Sequence, residues 1–469
     1  MFMITAAIVG TFLIGYAFIA MESTTKINKA AIALLMCVTC WVLYMLGAQD
    51  FLNLMHPSEF GAALSEMGDA TISSLVSSFV ADNVLIPHLG STSETIFFLL
   101  GAMTVVEVVD SNGGFNFVKS WLRTRSKRKL LWAVVFLTFF LSAVLDNLTT
   151  SLVMIAILRK LVPEHKDRII YAAMVILAAN AGGAFSPIGD VTTIMLWING
   201  SVTSLGVIEE LFLPSLISIV VPTLALSLSL KGQLGSGDGK EADEPVYLFS
   251  KVERNLLFII GVGGLIFVPV FRHLTGLPPF MGVLLVLSLL WIVTEIHYMK
   301  IPGAPSSLHR VSELLRKVDF STLLFFLGIL MTVASLEEIG VLHSFGEWLD
   351  TASGGNSFIV TGIIGLVSAI VDNVPLVASC MGMYEVAGPA AAGTELAHFM
   401  VDGSFWQLLA FCAGTGGSIL IIGSAAGVAV MGLEKISFGW YLKHVSWLAL
   451  LGYFAGMVVY WLQLEFIFG

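Results

Sequence analysis

Long apolar runs dominate the chain and are separated by short polar segments. Several of these runs have the length of a bilayer-spanning helix, which needs about 20 residues. The predicted transmembrane helices are 2–20, 30–47, 93–109, 169–198, 207–230, 255–271, 279–298, 319–336, 404–432 and 445–466. This pattern predicts an all-α polytopic membrane protein, surrounded by a lipid bilayer.

The composition supports the same fold class. Hydrophobic residues make up 57% of the 469 residues and charged residues 12%, whereas soluble proteins carry about 25% charged residues. A water-soluble chain of this composition could not cover its apolar surface. The net charge of −10, with no basic domain, excludes a nucleic-acid-binding protein. A secreted enzyme and a disordered scaffold are also excluded, and we expect no cofactor.

The distribution of Lys and Arg predicts the topology. These residues gather in alternate loops, and the stretches 48–92, 199–208 and 336–403 contain none. Because basic loops face the cytoplasm, threading the helices by this rule places every Lys and Arg except Arg272 inside. Both termini are then external. We expect the membrane to be a bacterial inner (plasma) membrane.

Two apolar segments do not fit a simple crossing. Segment 131–158 has basic residues on both sides, whereas segment 357–400 has none on either side. Each must enter and leave at one face, which predicts two re-entrant hairpins from opposite faces. Their non-helical tips require cover from protein or water. Segment 58–82 is expected to form an amphipathic external helix, and 232–254 a cytoplasmic linker.

The two halves of the chain share motifs in the same order and at a nearly constant offset. The matching pairs are Phe97-Phe98-Leu99 with Phe325-Phe326-Leu327, Ser142–Asn147 with Ser368–Asn373, and Gly182-Gly183 with Gly416-Gly417. This order indicates duplication, and the opposed hairpins make the predicted repeats, 1–231 and 255–469, inverted. Inverted repeats with broken helices indicate alternating-access transport, with a site near the midplane.

Polar residues interrupt the apolar pattern at two hairpin tips, 146–150 and 372–375, and at two Gly-rich breaks, 180–190 and 414–424. The breaks interrupt the predicted spans at 169–198 and 404–432. Freed carbonyls, neutral side-chain oxygens and carboxylates are the ligands that a dehydrated hard cation requires. The candidate ion- and proton-binding residues are Asp146, Asn147, Thr149, Asn180, Ser186, Asp190, Asp372, Asn373, Thr415 and Ser418.

The three aspartates are the main candidates, because a carboxylate within the membrane is costly and by default functional. The alternative is that each only caps the N-terminus of a half-helix. The Asp-Asn pairs at both tips favour function, and a carboxyl that binds either H⁺ or a metal ion suits a cation/proton antiporter. We expect Na⁺ at Asp146, Asn147, Asp372 and Asn373, with Asp190 as a further ligand or proton carrier.

Three glutamates are weaker candidates. Glu107 lies near the predicted cytoplasmic end of its helix, and Glu337 and Glu338 lie near an external end. Interfacial solvation is the alternative explanation for all three. We expect no catalytic residues.

Taken together, the Asp-Asn tips and the motifs N-A-G-G-A-F-S-P-I-G-D and G-T-G-G-S resemble the NhaD-type sodium/proton antiporters of the ion-transporter superfamily. The resemblance covers nearly the whole chain. It implies exchange of Na⁺ or Li⁺ for H⁺, a homodimer with a scaffold domain, and an elevator-type transport domain carrying the hairpins and broken helices. We expect the scaffold to come from 2–47 and 255–298.

The tips depart from the Ser-Asn-Thr of related dicarboxylate carriers. Asp146 and Asp372 replace Ser, which suits a cation, and Pro375 stands where Thr149 stands in the first half. Two other functions stay open. An anion or arsenite carrier of the same superfamily is disfavoured by the acidic tips. An intramembrane aspartyl protease would need neither repeats nor helix breaks.

Overall fold

The computed structural model describes residues 1–21, 25–66, 71–115, 122, 124–230, 232–234, 249–300, 310–370 and 372–468. These residues are largely helical. The helices of the first half are α1 (Phe2–Ala20), α2 (Lys29–Leu46), α3 (Ala48–Met55), α4 (Pro57–Ser65), α5 (Ile72–Phe79), α6 (Ile86–Ser111), α7 (Lys127–Ser142), α8 (Asn147–Leu161), α9 (His165–Ala184), α10 (Val191–Ile198) and α11 (Ser204–Ser229).

The second half is also largely helical. Its helices are α12 (Lys251–Thr275), α13 (Pro279–Met299), α14 (Val311–Leu314), α15 (Phe320–Glu338), α16 (Val341–Ser353), α17 (Ser357–Val367), α18 (Asn373–Met383), α19 (Ser404–Gly416), α20 (Ala425–Glu434), α21 (Phe438–His444) and α22 (Ser446–Gln463). Short 3-10 turns lie at Leu315–Lys317, Pro389–Ala391 and Glu395–Phe399, and π turns at Val80–Leu85 and Leu464–Phe468.

Within the described ranges, eight helical segments are long and apolar enough to cross a membrane. The expectation of an all-helical polytopic membrane protein is therefore confirmed. Two predicted spans consist of two helices each: α9 and α10 replace 169–198, and α19 and α20 replace 404–432.

The prediction for residues 58–82 is wrong. Helix α4 ends at Ser65, whereas α5 continues through the π turn into α6 and forms one apolar segment from Ile72 to Ser111. The helix that contains the third predicted span thus begins well before residue 93. Polar residues such as Asp82, His88 and Glu94 concealed its length in the sequence. Residues 67–70, and 235–248 of the predicted linker, lie outside the described residues.

The helices form two compact units. The first comprises Met1–Phe97, Asp319–Asn356 and Val374–Glu385, and the second Phe98–Val318, Ser357–Asn373 and Val386–Gly469. Each unit takes segments from both predicted repeats, so the repeat boundaries stay a prediction from sequence.

The first unit is centred on α2 and α15. The indole nitrogen of Trp41 on α2 donates to the carbonyl oxygen of Met331 on α15 at 2.8 Å. Gly328 on α15 lies against the backbone of Ala33, where a Cβ atom would collide. Small residues thus let these two apolar helices approach closely, as is common in membranes.

The second unit contains two similar packing arrangements. The Ser142 hydroxyl on α7 donates to the Ala179 carbonyl on α9 at 2.6 Å, and the Ser368 hydroxyl, which follows α17, donates to the Ala413 carbonyl on α19 at 2.9 Å. Gly182 and Gly416 lie against the carbonyl oxygens of Phe139 and Gly365 in the same two places. These contacts join the residues that match in the sequence repeat. Their opposed orientation in the membrane stays a prediction.

We expect Gly182→Ala and Gly416→Ala to destabilise the protein by about 1–3 kcal/mol, because the new methyl group would overpack a backbone contact. The apparent melting temperature of the purified chain in detergent measures this. Gly432→Ala in α20 is the control, because a Cβ there meets no atom within 4 Å, and a helical Ala is favoured over Gly. Equal melting of all three variants would contradict the close packing.

Candidate ion-binding site

Asp190 lies at the break between α9 and α10. The carboxylate caps α10, and its Oδ1 accepts from the Thr192 backbone N–H at 3.1 Å. The residue is only 1% exposed. A carboxylate so buried must be hydrogen-bonded or neutralised, because its desolvation is otherwise too costly.

Asp146 lies at the turn between α7 and α8. Its carboxylate caps α8 and accepts from the Thr149 backbone N–H at 2.8 Å and from the Thr149 hydroxyl at 2.6 Å. The capping expected for the alternative reading is therefore present. A carboxylate has about four acceptor positions, so two hydrogen bonds leave capacity for a cation or proton.

Asn147 connects this turn to the helix break. Its Nδ2 group donates to the Asn180 Oδ1 at 3.1 Å and to the Asp190 Oδ2 at 3.0 Å. All three residues are buried. The structure therefore brings together three of the predicted residues, which come from three different helical elements.

Asn180 extends the same network to the second break. Its Nδ2 group donates to the hydroxyl oxygens of Ser418 at 2.9 Å and Ser424 at 3.0 Å. Ser424 also caps α20 and accepts from the Gly427 backbone N–H at 3.1 Å. One asparagine thus hydrogen-bonds to the first tip and to two hydroxyls at the second break.

Asp372 and Asn373 lie where α18 begins. Asn373 is buried and Asp372 is half-buried. Asp190 lies within electrostatic reach of both Asp146 and Asp372. The three predicted aspartates therefore share one neighbourhood. Val371, which directly precedes the second predicted tip, lies outside the described residues.

The hydroxyls of Ser186 and Thr415 donate to backbone carbonyl oxygens, and Ser418 also accepts a hydrogen bond through its own carbonyl oxygen. The Ser186 hydroxyl donates to the Ala143 carbonyl oxygen and so ties the first break to the first tip. The Thr415 hydroxyl donates to the Phe411 carbonyl at 2.5 Å within α19. The Ser418 carbonyl accepts from the Tyr441 hydroxyl at 2.7 Å. These hydroxyl oxygens can still accept or ligate through their lone pairs.

Two residues of this neighbourhood were missed in the sequence. Ser424 stands at the position in the second half that Asp190 occupies in the first, so the repeat itself carried the signal. Thr150 follows Thr149, is completely buried, and its hydroxyl has no hydrogen-bond partner among the described residues. A buried hydroxyl without a partner is rare, and here it belongs to the hairpin-tip motif.

The three glutamates each have partners of their own. Glu107 accepts from the Ser111 hydroxyl at 2.7 Å and lies 3.2 Å from the Lys317 ammonium. Glu338 accepts from the His56 and His88 rings at 2.9 and 2.8 Å. Glu337 is half-buried beside Gly382. Glu337 and Glu338 belong to the first compact unit, whereas the aspartates belong to the second.

The pairing of Glu338 with two histidines gave no sequence signal. Helix α15 is far in sequence from both histidines, and no spacing pattern links them. The polar cluster contributes to holding α15 against residues that precede and follow α5 within the first unit.

Comparison with known proteins places the chain in a family. The family described as citrate transporter matches residues 16–403. The chain is 46% identical to "Sodium/proton antiporter 1" of Arabidopsis thaliana, with 95% of this chain and 70% of that protein aligned. It is 42% identical to "Sodium/proton antiporter 2" of the same plant, over 95% and 97% of the two chains. "Na(+)/H(+) antiporter NhaD" of Vibrio cholerae is 33% identical over 81% of this chain and 80% of its own.

The chain belongs to the NhaD-type sodium/proton antiporter family. The resemblance seen in the sequence motifs is thereby confirmed, and so is the expectation of a transporter rather than an enzyme. Within the described residues, no group of three or more His, Cys, Asp and Glu side chains could hold a metal ion. The neighbourhood of Asp190 instead mixes carboxylates with amide and hydroxyl oxygens.

We expect Asn180→Ala to lower stability by at least about 2 kcal/mol, because Asn147, Ser418 and Ser424 would each lose a buried hydrogen-bond partner. Thermal unfolding in detergent measures the loss. Asn199→Ala is the control, because Asn199 is exposed and its side chain donates to the single hydroxyl of Ser201 at 3.0 Å, and such surface changes stay within about 0.5 kcal/mol. Indistinguishable melting of the two variants would contradict the role of Asn180 as the hub.

Proposed function

We propose that the chain exchanges Na⁺ and Li⁺ for H⁺ by alternating access, with the cation held at Asp146, Asn147, Asp372 and Asn373 and with Asp190 as a further ligand or proton carrier. The observation that carries this proposal is the hydrogen-bond network from Asn147 through Asn180 to Ser418 and Ser424. The network connects the turn between α7 and α8 and the two helix breaks to the buried carboxylate of Asp190.

The coupling follows from the number of carboxylates. Three aspartates near one another in a low-dielectric region cannot all be ionised and empty, because the repulsion and desolvation are too costly. A bound cation or bound protons relieve the same charge. Occupancy of the site by Na⁺ and its occupancy by H⁺ are therefore mutually exclusive. This exclusion couples the transport of the two ions through a single site.

The network also divides the residues by role. Both Nδ2 hydrogens of Asn147 are engaged, by Asn180 and Asp190, so its Oδ1 faces away from them and can ligate the cation. Asn180 uses its Oδ1 and Nδ2 on protein partners. We therefore assign Asn180 to positioning and Asn147 to ligation.

Thr149, Ser186, Thr415 and Ser418 complete the proposed site as neutral oxygens. Thr149 holds Asp146 through two hydrogen bonds, and Ser186 joins the first break to Ala143. An anion or arsenite carrier is not favoured, because an anionic substrate would face the aspartates without compensating charge.

The larger mechanism remains a proposal from the sequence pattern and the family resemblance. We propose inverted repeats, two re-entrant hairpins, external termini and an elevator-type homodimer. The segments expected to form the scaffold, 2–47 and 255–298, belong to different compact units. The bacterial inner membrane stays a prediction, since similar proteins come from plants as well as bacteria.

Asp146→Asn and Asp372→Asn should each strongly reduce Na⁺-dependent proton movement, because each change removes a carboxylate while keeping the side-chain shape. Exchange is measured in everted vesicles with a pH-sensitive dye after addition of Na⁺ or Li⁺. We expect at least a tenfold loss, on the order of what 1.4 kcal/mol of lost binding produces. Protein level and melting should change little.

Asp319→Asn is a matched control for the capping alternative. Asp319 caps α15 and accepts from the Thr322 backbone N–H at 3.1 Å and the Thr322 hydroxyl at 2.6 Å, which is the pattern of Asp146 with Thr149. Asp319, however, is exposed. Normal exchange by all three variants would show that Asp146 and Asp372 are only helix caps.

The first hairpin predicts that the residues flanking it lie on one side of the membrane. Lys129→Cys and Lys166→Cys, in a variant lacking the native cysteines, should react equally with a membrane-impermeant thiol reagent from the cytoplasmic side. Both positions are exposed. Labelling from opposite sides would refute the re-entrant arrangement of 131–158.

A further inference from the structure

A cavity of about 460 Å³ lies in the second unit among α9, α11, α21 and α22. This volume is in the range of small-molecule binding pockets, about 300–1,000 Å³. One part of its lining, the apolar wall, includes Ile170, Met174 and Leu226, and another part, the polar rim, includes Trp440, Lys443 and His444. The ion-site network involves none of these residues.

The surroundings of the cavity are apolar and exposed. Leu224 and Leu228 on α11, on either side of the lining residues Ala225 and Leu226, are 54% and 67% exposed, and Trp447 is 52% exposed. In a transmembrane protein, exposed side chains of this kind are solvated by acyl chains. The apolar wall is therefore suited to one acyl chain rather than to a polar solute.

The polar part of the cavity carries positive charge and aromatic rings. Lys443 and His444 lie in the last turn of α21 and are exposed. The Trp440 and His444 rings stack at 5.0 Å, and the Trp440 carbonyl accepts from His444 Nδ1 at 2.8 Å. Trp residues favour the headgroup level of a bilayer, and Lys near that level attracts anionic lipids.

The helix dipole alone does not explain this arrangement. A cation at a helix C-terminus is favourable, which accounts for Lys443 and His444 on α21. It does not account for an apolar cavity directly beside them. Asp167, earlier on α9, is paired with Lys127 at 2.6 Å, so its charge is compensated.

We propose that this cavity binds an anionic phospholipid, with one acyl chain between α9 and α11 and the phosphate at Lys443 and His444. The charge of the polar rim matches the phosphate, and the apolar wall matches the chain. Ile170 and Met174 lie on α9, the helix that also carries Asn180. A bound lipid therefore braces the helix that organises the ion-site network.

The test is a lipid titration of the purified full chain in a neutral detergent, followed by thermal unfolding. Dioleoyl phosphatidylglycerol should raise the apparent melting temperature saturably and at lower concentration than dioleoyl phosphatidylcholine. Lys443→Gln should weaken the apparent affinity for phosphatidylglycerol about fivefold, from the contribution of one lysine near an anionic headgroup, and leave phosphatidylcholine unchanged. Ala225→Phe should fill the cavity and weaken both lipids.

Lys251→Gln is the matched control, because Lys251 is also exposed and lies at the start of α12, away from the lining residues. It should titrate like the original chain. The proposal is overturned if both lipids act equally on the original chain, or if Lys251→Gln loses as much as Lys443→Gln. It is also overturned if Ala225→Phe titrates normally, or if inorganic phosphate alone reproduces the shift.

Discussion

The structure depends on the need to satisfy buried polar groups where no water is available. Asp190, Asn147 and Asn180 are almost completely buried, and an unpaired amide or carboxylate at such a position would cost several kcal/mol. Each of these side chains hydrogen-bonds to another of the three. The series of hydrogen bonds ends at the hydroxyls of Ser418 and Ser424. The breaks in α9–α10 and α19–α20 are tolerable because this network and the half-helix caps satisfy their polar groups.

Close backbone packing makes that network possible. Gly182 on α9 and Gly416 on α19 allow these helices to lie directly against the Phe139 carbonyl oxygen of α7 and the Gly365 carbonyl oxygen of α17. The hydroxyls of Ser142 and Ser368 fix the register through one bond each. Since hydrophobic attraction between helices is weak in lipid, small residues and hydroxyls carry much of the specificity. The buried hydrogen-bond network and the close glycine contacts beside it therefore depend on each other.

The sequence predicted most helices because apolar length is a strong signal in a membrane protein. It also located the interruptions, because Gly, Asn, Pro and Asp stand out in 180–190 and Gly, Ser and Thr in 414–424. The span from Ile72 to Ser111 was underestimated, because polar residues on its early turns diluted the apolar pattern. The contacts of Asn180 and the pairing of Glu338 with His56 and His88 could not be foreseen. They depend on side-chain directions between distant segments, which a spacing rule does not contain.

The two helix breaks are alike in backbone but unequal in charge. Asp190 caps α10, whereas Ser424 caps α20 at the matching position. A duplicated scaffold with one carboxylate and one hydroxyl at equivalent caps has lost its electrical symmetry. A cation beside the start of α10 therefore meets a carboxylate, whereas a cation beside the start of α20 meets only a hydroxyl dipole. The electrostatic potential at the two breaks is unequal, even though their backbones are alike.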